Sequence, residues 1–146
     1  RYADTTEMQM RDGGAALEPL PGARWAERLS DAATRAMAEA LRSRLHAPVL
    51  IQVPAGATTV AQVTVDLWRF ECRRDGGLCA LEGQWSVQPA PRLAAGATDL
   101  AQGQLSISMP LADPSAHGVA VVMGRLIDAA AEPIARSLPT TGTRAR

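Results

Sequence analysis

The residues with reactive side chains are few. Cys72 and Cys79 flank the polar segment Arg73 to Leu78. Thiols placed about a turn either form a disulfide in an oxidising compartment or remain two free thiols in a reducing one. If bridged, the short loop contributes roughly 2–3 kcal/mol by chain entropy. A metal site is not expected, because no second pair of ligands accompanies the cysteines. Asp113, Ser115 and His117 stand close together, which invites a hydrolase reading. Adjacent positions at a helix start point in different directions, however, and triads assemble from separated segments. A capped helix start explains these residues better. His46 follows the first helix, where the dipole favours it. No GxxxxGK[ST] or GxGxxG motif is present, and the carboxylates are dispersed. The expectation is no catalytic residue, no metal, no cofactor and no enzyme.

The cysteines belong to a hairpin spanning Val60 to Val87. Val60, Val63, Val65, Trp68 and Phe70 favour a pleated surface. Asp75-Gly76-Gly77 suits its turn. With Cys72 opposite Cys79, Phe70 faces Leu81 and Asp66 faces Trp85. The parity conflicts: Val63, Val65 and Leu67 share one face, and Trp68, Phe70 and Cys72 the other. Either a bulge near Leu67 to Arg69 switches the faces, or both faces are partly covered.

With 146 residues, the chain can bury a sizeable core. Lys+Arg and Asp+Glu are both 15, and every basic residue is Arg. That balance argues against a nucleic-acid partner, which calls for a basic excess. The longest apolar run, Gly118 to Ala131, contains Arg125 and Asp128 and does not read as a membrane span.

In chain order, Thr5 to Met10 and Ala15 to Leu20 read as a small hairpin about Asp12-Gly13-Gly14, ended by Pro19 and Pro21. Trp25 to His46 carries apolar residues at helical spacing. Ala47 to Val53 reads as a short strand. Gln88 to Gln102 reads as a connection, and Gln104 to Leu111 as an alternating strand. A second helix opens at Asp113-Pro114-Ser115, with Asp113 as its cap and Pro114 at the first helical position. Pro133 predicts a kink or an end near Ala129 to Glu132. The order β-β-α-β-β-β-β-α gives an α+β, two-layer sandwich: a mainly antiparallel sheet with two long helices packed on one face. Residues 1–138 form a single domain, and 139–146 a flexible C-terminal tail.

The segment Arg24-Trp25-Ala26-Glu27-Arg28-Leu29 resembles the helix-opening motif of the PqiC (YmbA-like) family, auxiliary lipoproteins of ABC-type and MCE-type lipid transport systems. Arg28 stands where that family usually has Pro. Val63-Thr64-Val65, Phe70, Gly76-Gly77 and Trp85 follow in the family's order. The resemblance runs from Arg1 to Leu138, and Cys72–Cys79 is not a feature of every member.

The resemblance implies a periplasmic lipoprotein whose leader, lipobox cysteine and first strand precede Arg1. A lipid anchor upstream of Arg1 would hold it at the outer membrane. Its partner would be an MCE-domain, PqiB-like protein reaching across from the inner membrane, and docking that partner would support membrane integrity. Homo-oligomerisation would fit docking onto ring-shaped MCE assemblies. An assembly or binding module of another envelope or secretion complex is the alternative. Arg24, Trp25, Glu27, Leu29, Phe70 and Trp85 are its structural or interface candidates. An open sheet edge and the Arg28, Arg35 and Arg42 helix face are candidate partner surfaces.

Overall fold

The computed structural model describes residues 7–11, 17–24, 28–52, 55, 61–74, 76–89 and 101–138, with the backbone only for the two N-terminal strands and Pro89. The elements run β1 (Glu7–Arg11), β2 (Leu17–Arg24), α1 (Leu29–Leu45), β3 (Ala61–Arg73), β4 (Leu78–Pro89), β5 (Ala101–Pro110) and α2 (Ala116–Ser137). The strand order is β2-β1-β3-β4-β5. β3, β4 and β5 are antiparallel neighbours, whereas β1 joins β3 in parallel at Arg11 and Arg73. α2 packs on β3, β4 and β5, and the principal partner of α1 is α2. The fold is the expected α+β arrangement.

Period-2 alternation builds the core on one face of this sheet. Phe70 and Cys72 of β3, Leu81, Trp85 and Val87 of β4 and Leu105 of β5 are buried. They share a core with Val119, Leu126, Ile127 and Ile134 of α2 and Met37 and Leu41 of α1. Aromatic residues are scarce, so Leu, Val, Ile, Met and Ala fill most of this volume. Cys72 pairs with Cys79 across the hairpin, and both cysteines are fully buried in a disulfide. Gly76 and Gly77 take positive φ at the turn, as this hairpin connection requires. Leu111 N–H donates to Gly77 O at 2.6 Å, tying the hairpin tip to the segment that enters α2.

Several sequence expectations change. Ala47 to Gln52 is irregular rather than a strand. His46 adopts a left-handed conformation with φ 51° and closes α1 through a bond to Arg42 O. Arg42 then donates from Nε to Val49 O at 3.0 Å. Val49 O is thus taken by a side chain rather than by a strand ladder.

β2 continues through Pro19 and Pro21 to Arg24, because an outer strand tolerates missing donors. Helix α2 is capped by Ser115 rather than Asp113: Ser115 Oγ accepts from Gly118 N–H at 3.2 Å. Pro114 therefore precedes the cap. The helix also runs past Pro133 to Ser137. One lost backbone donor is outweighed by burial of Ala130, Ala131 and Ile134 on either side of the proline. The tail 139–146, the turn at Asp12 to Gly14, Trp25 and Glu27 lie outside the described residues.

Candidate docking surface

The face of the sheet turned away from α2 is polar. Gln62, Thr64 and Asp66 of β3, Gln84 and Gln88 of β4, and Gln102, Gln104, Ser106 and Ser108 of β5 are exposed. Cross-strand register aligns them in rows. Asp66, Gln84 and Gln104 form one row, and Thr64, Ser86 and Gln102 the next. Most of this field is uncharged amide and hydroxyl.

A bulge between Leu67 and Arg69 interrupts β3. Before it, Leu67 opposes Gly83; after it, Arg69 opposes Glu82, so Trp68 is the extra residue. The slip also places Val65, rather than Asp66, opposite Trp85. The bulge resolves the parity conflict: Val63, Val65 and Leu67 pack toward the core before it, and Phe70 and Cys72 after it. Gly83 permits the arrangement, since a Cβ there would lie 2.3 Å from the Asp66 carbonyl oxygen.

Trp68 is consequently displaced to the surface, 56% exposed. By parity alone it shares a face with Phe70 and Cys72, both of which are buried. The available signal was its parity with Gln62, Thr64 and Asp66. Beyond the bulge lies a balanced charge cluster. Arg69 contacts Glu71 at 3.2 Å and Glu82 at 3.6 Å, and Arg73 Nε stands 4.0 Å from Glu71. Glu71 is buried, 6% exposed, where flanking guanidiniums compensate its charge. An exposed indole beside fixed, paired charges and uncharged hydrogen-bonding groups has the chemistry of a protein-contact anchor.

The other candidates fall into place around this surface. Leu29, Phe70 and Trp85 are buried and serve packing. Arg24 ends β2 opposite Glu7. On the helix layer, Arg28 is exposed, but the Arg42 guanidinium is committed to Val49 O. Arg44 makes a two-pronged contact with Asp128, at 2.9 and 3.1 Å, and bonds Glu132 at 3.0 Å. Its hydrogen bond holds the Asp128 carboxyl below the usual carboxylate range. At the helix start, Asp113 accepts from Ser115 N–H at 3.0 Å. That bond likewise holds the Asp113 carboxyl low. Both Ser115 and Asp113 are thereby engaged in capping rather than in a nucleophile–base pair. Among the described residues, no group of three or more His, Cys, Asp or Glu side chains could hold a metal, and no helix is long and apolar enough to cross a membrane.

A two-layer α+β domain with a helix-covered face and an open polar face is the class these features define. The family model described as the ABC-type transport auxiliary lipoprotein component matches residues 1–135. The chain belongs to that family, whose members are auxiliary lipoproteins of transport systems. Its fold is similar to a crystal structure titled only as an uncharacterised protein, with a TM-score of 0.77 at 15% identity over 94% of this chain and 84% of that one. It is also similar to a Xanthomonas campestris protein of the DUF330 family model, with a TM-score of 0.66 at 16% identity over 92% of this chain and 75% of that one. No curated protein matches the chain in sequence.

Proposed function

We propose that this chain is the non-catalytic, periplasmic part of an outer-membrane lipoprotein in an MCE-type lipid transport system. It docks a PqiB-like MCE protein that reaches across from the inner membrane, and so supports membrane integrity. The observation that carries this reading is the family match over residues 1–135. An oxidising compartment accords with the Cys72–Cys79 disulfide. The open sheet face supplies a contact surface with Trp68 as its anchor, and Leu29, Phe70 and Trp85 hold that face in shape from the core side.

The test is recovery of the full-length protein from detergent-solubilised envelopes, with bound proteins identified by mass spectrometry. The expected result is an MCE-domain protein, together with acylation of an N-terminal cysteine. Trp68→Ala should reduce that recovery while leaving the fold intact, because the ring is mostly solvent-exposed. Recovery of a secretin or another envelope machine would favour the assembly-module alternative. Absence of both partner and lipid would refute the transport reading.

A further inference from the structure

Charge on the open face is unevenly committed. The charged side chains of β3, β4 and β5 are Asp66, Arg69, Glu71 and Arg73 on β3 and Glu82 on β4. Arg69 is engaged by Glu71 and Glu82, and Arg73 flanks Glu71. Two guanidiniums against three carboxylates leave one negative charge on these strands. That charge is Asp66, which is exposed and has neither an ion pair nor a side-chain hydrogen bond among the described residues.

Asp66 lies beside the exposed indole. Exposure alternates along β3, so Gln62, Thr64, Asp66 and Trp68 point to one side while Val63, Val65 and Leu67 turn toward the core. Two residues along a strand span about 7 Å. The bulge inserts Trp68 just past Asp66, and the Arg69–Glu82 pair bounds the indole on its far side. Across the sheet, Asp66 is in register with Gln84, and Gln84 with Gln104. An aromatic face, an uncommitted carboxylate and amide oxygens on one surface make a receptor for an organic cation.

We propose that Trp68 and Asp66 together receive a guanidinium presented by the docking protein, Trp68 stacking on its plane and Asp66 pairing with its edge. The inference rests on the docking role proposed for this face and names what the partner presents there. A guanidinium fits better than an ammonium. It is planar and weakly hydrated, and its fork still donates in plane while it stacks on an indole. It has more donors than one carboxylate satisfies, and the Gln84 amide is in register to take another. Asp66 repels a phosphate-bearing surface, so the face selects a basic protein site over a membrane. Asp66 is then the specificity-determining residue, and Trp68 acts through its π face rather than through apolar area alone.

Two measurements test this. The first needs no partner. The 146-residue chain is titrated with N-acetyl-arginine amide while the tryptophan indole N–H resonances are followed by NMR. The Trp68 resonance, identified by its loss in Trp68→Leu, should shift with a saturable, millimolar response. The neutral isostere N-acetyl-citrulline amide should give only a small part of that shift, and Asp66→Asn should remove the difference. The second uses the full-length protein and the partner recovered from envelopes. Asp66→Asn should weaken binding about tenfold. Trp68→Leu, which keeps an apolar side chain, should weaken it similarly, and the double variant should lose less than the product of the two. Raising salt from about 0.1 to about 0.5 M should weaken binding by the parent and barely change Asp66→Asn. Both positions are exposed, so each variant should keep the parent's circular dichroism spectrum and melting temperature. Equal responses to arginine and citrulline, or partner binding indifferent to Asp66→Asn and to salt, would overturn the guanidinium site and leave the docking reading standing. An arginine-specific shift in a protein that recovers no partner would support the site and refute the docking reading instead.

Discussion

Replacing Gly83 with Ala tests the account of the bulge. Gly83 opposes Leu67 at the register slip. An added Cβ would lie 2.3 Å from Asp66 O and 2.8 Å from Leu67 Cδ2, whereas ordinary contact begins at 3.4 Å. Asp66 O is backbone, so no rotamer change relieves the clash. The strands must separate locally or the bulge must slide. Overpacking costs about 1–3 kcal/mol, and a disrupted ladder bond adds about 1 kcal/mol, giving about 3 kcal/mol in all. At roughly 2–4 °C per kcal/mol, the melting temperature should fall by about 10 °C.

Gly103→Ala is the internal comparison. Its Cβ would meet the Trp85 indole at 2.7–2.8 Å, but a ring can tilt, so the cost should be nearer 1–2 kcal/mol. Thermal and urea melts of the two variants give the ranking. Iodide quenching of tryptophan fluorescence reports whether Trp68 has left the surface. The reasoning fails if Gly83→Ala melts within about 0.5 kcal/mol of the parent, or is no more destabilised than Gly103→Ala.

Three further substitutions probe separate parts of the structure. Arg44→Met should cost about 1 kcal/mol at neutral pH, the upper range for an exposed, two-pronged contact. The Asp128 carboxyl is held low by Arg44, so this stabilisation is present above its ordinary pKa of about 4 and is lost as pH falls through the depressed folded value. Melts of parent and variant should therefore converge at strongly acid pH; a constant gap would remove the ion pair as its source. Gly124→Ala should stabilise the protein by about 1 kcal/mol by helix propensity, since the position is on α2 with nothing within 4 Å of a new Cβ; a lowered urea midpoint would contradict this. Cys72→Ala with Cys79→Ala should cost at least about 2–3 kcal/mol, the entropy of a short closed loop. A midpoint unchanged in urea would mean that the bridge contributes nothing net.

Local chemistry was readable wherever one stretch of sequence sufficed. The hairpin and its Cys72–Cys79 register follow from glycine placement and β-branched residues, whereas parity left the bulge at Leu67 to Arg69 as one of two solutions, which the register decides. The second helix was legible from its apolar face, although its cap required knowing that Ser115 Oγ reaches Gly118 N–H. The resemblance that began at Arg24 to Leu29 accords with the family match over residues 1–135, although Trp25 and Glu27 lie outside the described residues.

Other features depended on what came to lie alongside. Ala47 to Gln52 has the composition of a strand, yet it is irregular and its Val49 carbonyl is bonded by the Arg42 side chain, whereas a strand exists only with a partner for its backbone groups. Pro133 has a fixed local cost, which the burial of Ile134 offsets. Trp68 has the side chain of a core residue, and only the bulge sends it outward. That β5 is an outer strand among the described residues is likewise a property of strand order. Sequence determined the periodicities, the hairpin turn and the placement of Cys72 opposite Cys79, because these depend on neighbours along the chain. Tertiary structure decided exposure, edges and contact surfaces, because those depend on which segments compete for the same place in space.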